Sequence, residues 1–284
     1  MNKSDMIEDI MRIAFFPPAQ DLARLVAGYC LCDDPSGVMA GQSVTACPQL
    51  QSVICLQLAD DVDTDFRDRR PVMSYAGLQP GPRGYRPAGA ARSLLIFLTD
   101  LGALRLFPHV GPDIFAEGHD MGGLIGDGPV IRARTAASAA DNDRDLTDSL
   151  DTWLRERFAA APAPGVDRVA AAMAHLGPGA MTVAQSAGAV DLSERQLERA
   201  FQAHIGITPK GYQQLFRLNR SLTAALSGEG DPLDGFSDQA HQIRTWKTHL
   251  GATPGAIGRQ GLSPVGRMFL SEARAGGQVR THYF

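Results

Sequence analysis

The stretch DLSERQLERAFQAHIGITP, residues 191–209, determines the fold predicted for the C-terminal part of this 284-residue chain. It is repeated at residues 235–254 as GFSDQAHQIRTWKTHLGATP, with one residue inserted. In the shared register Ser193 corresponds to Ser237, and both copies end on His, Gly and Thr-Pro at matching places. A serine before an apolar helical period is a common N-cap, and Thr-Pro is a common start for the next helix. The repeat therefore predicts two similar helical units.

The first copy has the pattern of a helix-turn-helix. Ser193 and Gln196 form the sequence signature of a capping box at the start of a helix. A shorter helix beginning at Thr182 precedes it, and a tight turn at 190–192 joins the two. The inner stripe of the second helix is Leu197, Ala200, Phe201 and His204. Such a second helix can lie in the major groove of DNA, although an ordinary helical hairpin gives the same local pattern.

A long helix at 209–226 is predicted to connect the two units. Two reading helices on one monomer can enter successive major-groove turns about 34 Å apart. The repeated units resemble the DNA-binding domain of the AraC family of bacterial transcription regulators. The resemblance covers about residues 169–259 and is most specific at LSERQLER and GITPKGY, residues 192–199 and 206–212.

The N-terminal part also resembles the sensor-type domains attached to one branch of that family, at residues 16–29, 75–79 and 93–107. The resemblance implies a sequence-specific regulator that binds an operator in double-stranded DNA and recruits or blocks RNA polymerase. It further implies a homodimer and a small-molecule effector acting on the N-terminal domain. No cofactor and no enzymatic activity are implied.

Both units depart from the family pattern. In the first unit Ser186 stands where the family usually has leucine, Gly188 interrupts the first helix, and Asp191 replaces the turn glycine. The second unit offers only eight residues, 227–234, which are too rich in Gly and Pro for a first helix, and Gln242 replaces an apolar residue. We therefore expect an intact first unit, a less firmly held second reading helix, and DNA binding that depends mainly on the first.

The side chains predicted to contact DNA in the first unit follow from hydrogen-bonding geometry. Arg195 and Gln196 are predicted to contact base edges, because arginine can bind guanine and glutamine can bind adenine with two bonds each. Arg199 and Lys210 are predicted to contact phosphates, Lys210 beside the free amides of a helix start. For each residue the alternative is a solvated or ion-paired surface side chain.

In the second unit Gln239 and His241 are the candidates for base edges, and Arg244 and Lys247 are candidates for phosphate contacts or intramolecular pairs. The complete set of predicted DNA-binding residues is Ser193, Arg195, Gln196, Arg199, Gln202, Lys210, Gln239, His241, Arg244 and Lys247.

The net charge of −4 hides an asymmetry. Residues 1–165 hold 15 basic and 22 acidic side chains, a net of −7, whereas residues 166–284 hold 12 and 9, a net of +3. The mildly basic part coincides with the repeat. It predicts modest non-specific affinity for DNA, with binding that depends on a few placed arginines and on dimerisation through the acidic part.

The fold class expected is α+β, with an N-terminal β-containing sandwich or small barrel and a C-terminal all-helical domain. Apolar runs at 52–58 and 92–99 predict strands, 79–89 reads as loop, and periodicity predicts helices at 21–29 and 143–160. We expect a sensing or dimerisation domain at 1–160, a linker at 161–165 and the DNA-binding domain at 166–260. The tail, 261–284, has no clear pattern, although Met268, Phe269, Tyr283 and Phe284 could dock on either domain.

Several other classes are disfavoured. The catalytic and phosphate-loop motifs of common enzymes are absent from the sequence. Acidic runs at 61–65 and 141–145 lack the glycine and glutamate of a calcium loop, and His109 and His119 are as well explained as surface histidines as by a metal site. The four cysteines, without a Cys-x-x-Cys pair, are expected to be reduced thiols. The sequence shows neither a secretory signal nor an apolar run of membrane-spanning length, so a cytoplasmic protein is expected.

The alternative function is a ligand-binding or protein-interaction module in which the incomplete second unit no longer reads DNA.

Overall fold

The computed structural model describes residues 10–59, 71–108, 118–161, 165–177, 179, 181–228 and 230–274. The acidic run at 61–65, His109, Tyr283 and Phe284 lie outside these residues. None of the described helices is both long and apolar enough to cross a membrane.

Antiparallel β-structure dominates the N-terminal part. The strands are β1 (Arg12–Phe16), β2 (Val26–Asp34), β3 (Val44–Ala46), β4 (Val53–Gln57), β5 (Met73–Ala76), β6 (Arg83–Tyr85), β7 (Ala91–Leu98) and β8 (His119–Asp120). Six of them form one sheet in the order β1-β2-β7-β4-β5-β8, and β3 pairs with β6 in a second sheet. The predicted strands at 52–58 and 92–99 are confirmed as β4 and β7.

The central strand β7 has apolar side chains on both faces, which explains its nearly continuous apolar sequence. Leu94 and Ile96 point into a core shared with the helices that follow the sheet. Phe97 belongs to a second core on the opposite face, together with Cys30 of β2. The sheet is therefore covered on both sides.

Two predictions in this part were wrong. The helix predicted at 21–29 is a 3-10 turn at Gln20–Leu22 followed by β2. The apolar spacing up to Tyr29 fits a helix as well as a strand. The strand forms because β2 pairs with both β1 and β7. The loop predicted at 79–89 contains β6, a three-residue strand that fits between the glycines and prolines because it pairs only with β3.

Among the described residues, four α-helices follow or interrupt the sheet: α1 (Asp100–Leu106), α2 (Met121–Ile125), α3 (Asp127–Ser138) and α4 (Asp143–Ala160). The prediction of a helix at 143–160 is confirmed. Asn142 caps α4 by accepting hydrogen bonds from the amides of Arg144 and Asp145, each at 3.0 Å. The acidic run at 141–145 thus forms a helix start, where the helix dipole favours negative charge.

The C-terminal part is helical, as predicted. Its helices are α5 (Val166–Leu176), α6 (Val183–Ala189), α7 (Glu194–His204), α8 (Pro209–Ser227), α9 (Gln239–Leu250), α10 (Pro254–Gln260) and α11 (Pro264–Arg274). Phe201 of α7, Leu218 of α8 and Trp246 of α9 are fully buried in one core. This core joins the two copies of the repeat through the long helix α8.

Two hydrophobic cores contain residues from both sides of the predicted linker, 161–165. The core of the helical part also contains Cys47, Leu78 and Leu104 from the N-terminal part. In the opposite direction, α11 lies in the predicted tail and packs on the N-terminal sheet, where Phe269 meets Phe15 edge to face at a centroid distance of 5.5 Å. The two parts therefore share apolar contacts at two separate places.

Candidate nucleic-acid interface

Helices α6 and α7 form the first helix-turn-helix unit, and its turn is built as the sequence predicts. The Ser193 hydroxyl accepts a hydrogen bond from the Gln196 amide at 3.3 Å, while Gln196 Oε1 accepts one from the Ser193 amide at 2.8 Å. This reciprocal pair confirms the predicted capping box. Asp191 has a φ of 54°, the left-handed conformation expected where it replaces a glycine.

The other two departures in the first unit are accommodated. The Ser186 hydroxyl is fully buried and donates a hydrogen bond to the Ala172 carbonyl at 3.3 Å, so the polar group in the core is satisfied. Gly188 borders open space, because no other atom lies within 4 Å of the position of a Cβ there. The expectation of an intact first unit is confirmed.

The exposed face of α7 carries Arg195, Arg199 and Gln202. Within the described part of the chain, none of the three forms an ion pair or a side-chain hydrogen bond. Lys210 is also exposed, in the first turn of α8, where Thr208 caps the helix by accepting a hydrogen bond from the Gly211 amide at 3.0 Å. These side chains are available for the contacts predicted for them.

Two residues of the predicted set have structural roles of their own. Gln196 Oε1 accepts hydrogen bonds from both the amide and the hydroxyl of Ser193, at 2.8 and 2.9 Å. A two-bond contact with adenine needs the oxygen and the nitrogen of the same amide. Gln196 can make that contact only when the capping box opens, so the geometry favours Ser193 and Gln196 as helix caps.

The second unit is held by a different set of contacts. Residues 231–234 form turns in place of a first helix, as the sequence predicts. Gln242, which is buried, donates hydrogen bonds to the Pro232 carbonyl at 2.7 Å and to the Ser221 hydroxyl at 3.1 Å. Trp246 donates to the same hydroxyl at 3.1 Å. These bonds fix α9 to α8 and to the turn that replaces the missing helix.

The predicted contact residues of the second unit differ in their exposure. Gln239, Arg244 and Lys247 are exposed. His241 is half-buried, with Nδ1 at 3.2 Å from the Ser237 hydroxyl and its ring edge-on to Phe236 at 5.4 Å. Local contacts therefore compete with a base contact by His241.

Near its C-terminus, each reading helix contacts the N-terminal part through the same residue of the repeat. Nδ1 of His204 in α7 lies within hydrogen-bonding distance of the Pro108 carbonyl. Nδ1 of His249 in α9 lies 3.0 Å from the Pro80 carbonyl. These contacts were not predicted, although the histidine recurs in both copies of the motif and could have indicated a shared role.

Helix α8 is fixed to the N-terminal part as well. The Tyr212 hydroxyl donates to the Asp100 carboxylate at 3.2 Å, and the Asn219 amide donates to the Pro48 carbonyl at 3.1 Å. Burial raises the pKa of Asp100 to about 6, and the hydrogen bond from Tyr212 partly opposes this shift. Polar contacts from α7, α8 and α9 thus hold the helical domain against the N-terminal part.

Comparison with known proteins agrees with this geometry. Residues 186–260, which contain α7, α8 and α9, match the family model described as a helix-turn-helix domain. The C-terminal part is therefore a helix-turn-helix DNA-binding domain. The type of this domain is that of the AraC regulators, as the repeat indicates, and such a domain supports a function in DNA-binding transcription regulation.

No curated protein matches the chain in sequence. Among solved structures, an apo ToxT variant from Vibrio cholerae strain SCE256 is 8% identical with a TM-score of 0.42, over 80% of this chain and 96% of that one. ToxT from Vibrio cholerae O395 is 7% identical with a TM-score of 0.39, over 87% and 96% of the two chains. Similarity at this level does not establish a shared fold.

Proposed function

We propose that this regulator reads its operator mainly with α7 and that α9 adds a weaker second contact. The observation that carries the proposal is the exposed face of α7, on which Arg195 and Arg199 have no partner among the described residues. An unpaired arginine near the start of a reading helix is suited to bind guanine. Arg195 is assigned to base edges, and Arg199 and Lys210 to phosphates.

The remaining roles are assigned by position. Gln202 and Lys247 are exposed and are assigned to phosphates, whereas Gln239 and Arg244 are the other exposed candidates of the second unit. The N-terminal domain, 1–160, mediates dimerisation and responds to a small-molecule effector. The bound dimer acts in the cytoplasm by recruiting or blocking RNA polymerase, and it has no enzymatic activity.

Selection of bound sequences from random DNA tests the proposal with the full chain. Arg195→Ala is expected to relax preference at one or two base positions, because it removes one direct reader. Lys210→Ala is expected to weaken binding to all sequences about equally and to flatten the salt dependence. Arg168→Ala, an exposed arginine on α5, is the matched control and leaves the selected motif unchanged. Equal loss on every sequence for Arg195→Ala contradicts the base-reading role.

A binding module without DNA recognition is the second candidate. The contacts of His204 and His249 with the N-terminal part favour it, because they restrain both reading helices in this arrangement. Retention on heparin and on random DNA, measured against salt concentration, separates the two candidates. A steep salt slope supports the regulator, and absence of retention at low salt supports the module.

A further inference from the structure

Sulfur side chains are concentrated at one place in the N-terminal domain. A cavity of about 200 Å³ lies between its two sheets, and Met11, Cys32, Met39 and Cys55 line it. Cys30 lies directly beside them, because its Sγ is 3.8 Å from the Sγ of Cys32. The whole chain has four cysteines and nine methionines, so a large share of its sulfur surrounds this cavity. Thiolate and thioether ligands select soft metal ions such as Cu(I).

The distance between two of these sulfurs suits a shared metal ion. Cys30 and Cys32 lie two residues apart on β2 and therefore on the same face of the sheet. Two thiolates bound to one ion at about 2.3 Å lie about 3.8 Å apart at a tetrahedral angle and about 4.6 Å apart in a linear arrangement. The observed separation of 3.8 Å is at the short end of this range. Movement of the two sulfurs apart by less than about 1 Å accommodates either arrangement.

A disulfide between the same two cysteines fits less well. The sulfurs would have to approach to about 2.05 Å, and residues two apart on an antiparallel strand have Cα atoms about 6.8 Å apart, the upper limit for a disulfide. The backbone of β2 is held on both sides, because Cys30 pairs with Phe15 of β1 and with Leu95 of β7. The geometry of β2 therefore favours a bridging ion over a covalent bond.

The surrounding groups disfavour harder metal ions. Among the described residues, no group of three or more histidine, cysteine, aspartate or glutamate side chains is placed to hold a metal ion, whereas a structural zinc site needs four ligands. The Asp34 carboxylate on the cavity wall accepts hydrogen bonds from the amides of Val38 and Met39, each at 2.9 Å. A pair of thiols with thioethers nearby suits a soft monovalent ion that accepts a low coordination number.

The cavity wall also supplies a positive charge. Two thiols release their protons to solvent when they bind Cu(I), and the resulting complex carries one negative charge. Arg83 lines the same cavity. Burial raises the pKa of Cys55 to about 12, and the charge of Cys32 adds to this shift, while the charge of Arg83 opposes it. Arg83 is therefore close enough to the sulfur cluster to offset the charge of a thiolate complex.

We propose that Cys30 and Cys32 bind one Cu(I) ion as a pair of thiolates at the wall of this cavity. The ion enters through the cavity, where Cys32 is half-buried, and Cys30 completes the pair from the core beside it. The proposal is independent of operator recognition, so its tests need no DNA.

Competition with bicinchoninate under anaerobic conditions tests the site on the reduced full chain. The protein is expected to withdraw one Cu(I) ion per chain from the coloured bicinchoninate complex. Cys30→Ser and Cys32→Ser should each weaken binding by about 100-fold or more, because a hydroxyl is a poor ligand for a soft ion. Cys47→Ser, which alters a thiol in the core of the helical part, is the matched control and leaves the affinity unchanged. Absence of binding to the unaltered chain, or full binding by Cys32→Ser, overturns the assignment.

Two further variants test which sulfurs form the pair. Cys30 is fully buried, so urea denaturation checks that Cys30→Ser still folds. If that variant does not fold, the half-buried Cys32 decides the matter, since Cys32→Ser removes the same pair. Cys55→Ser is expected to bind Cu(I) as tightly as the unaltered chain. A loss in Cys55→Ser as large as the loss in Cys32→Ser assigns the ion to another pair and overturns the role of Cys30.

The chemistry of the bound ion is tested by spectroscopy and by two competitors. X-ray absorption at the copper edge is expected to show a first shell of sulfur alone, and a shell of nitrogen or oxygen contradicts the proposal. Excess Zn(II) should not displace Cu(I), because zinc needs four ligands. Displacement by Zn(II) contradicts the assignment to a soft monovalent ion. A Cys30–Cys32 disulfide formed with hydrogen peroxide, in a chain that binds no Cu(I) when reduced, overturns the metal site in favour of thiol oxidation.

Discussion

The two helix-turn-helix units share a sequence motif but are held in place by different kinds of contact. The first has both of its helices, a capping box and an apolar core around Phe201. The second lacks its first helix, and buried hydrogen bonds from Gln242 and Trp246 anchor α9 instead. A repeated reading helix can therefore keep its place in the fold without its partner helix, provided that hydrogen bonds within the chain satisfy the buried polar groups.

The largest effect is expected from the aromatic anchor of the second unit. Trp246→Ala removes a fully buried ring and its hydrogen bond, so the free energy of unfolding should fall by about 3–5 kcal/mol. Urea denaturation followed by circular dichroism measures it, with Phe201→Ala as the corresponding change in the first unit. A loss near zero for Trp246→Ala alone indicates that the second unit is not part of the shared core.

The next largest effect compares how much each unit contributes to operator affinity. Arg195→Ala should weaken binding to the selected operator by about 1–3 kcal/mol, the range for one base-reading side chain. Gln239→Ala in the second unit should have a smaller effect, because α9 contributes less in the proposed arrangement. Fluorescence anisotropy with both variants at one salt concentration makes the comparison. An effect of Gln239→Ala that equals or exceeds that of Arg195→Ala reverses the ranking of the two units.

A third prediction addresses the polar anchor directly. Gln242→Leu restores an apolar residue of the kind the family usually has, yet it removes two hydrogen bonds from a buried site. The expected loss is about 1–2 kcal/mol in the free energy of unfolding. Gln202→Leu, the same change on the exposed face of α7, is the control and should have little effect. A gain in stability for Gln242→Leu shows that the hydrogen bonds are dispensable.

The smallest effect concerns the attachment of α8 to the N-terminal part. The pKa of Asp100 is raised to about 6, above its usual value, so its stabilising contribution is complete only below about pH 4 and is lost as the pH rises through about 6. Asp100→Asn should therefore stabilise the protein by about 1 kcal/mol near pH 7.5 and have less effect near pH 4.5. Thermal unfolding at both pH values tests this. A destabilised variant at the higher pH contradicts it.

Sequence patterns predicted the helical part better than the sheet. The helix at 143–160 and the capping box at Ser193 depend on neighbours within one or two turns, so the local sequence contains the signal. The first residues of the strand Val26–Asp34 lie in the helix predicted at 21–29, because their apolar spacing fits both periods, and only pairing with β1 and β7 favours the strand. The sequence was sufficient to predict that the candidates on α7 are exposed. The local hydrogen bonds of His241 and Gln196, which compete with DNA contacts, are seen only in the folded structure.

The sequence alone determined the repeat, the missing helix of the second unit and the helix-turn-helix type of the C-terminal domain, because these follow from short-range spacing and capping. Only the tertiary structure decided where α11 lies and how α9 is anchored, since both depend on contacts between residues far apart in the chain. The same holds for the contacts of His204 and His249 with the N-terminal part. Burial and hydrogen-bond satisfaction are properties of the packed chain, and no local pattern specifies them.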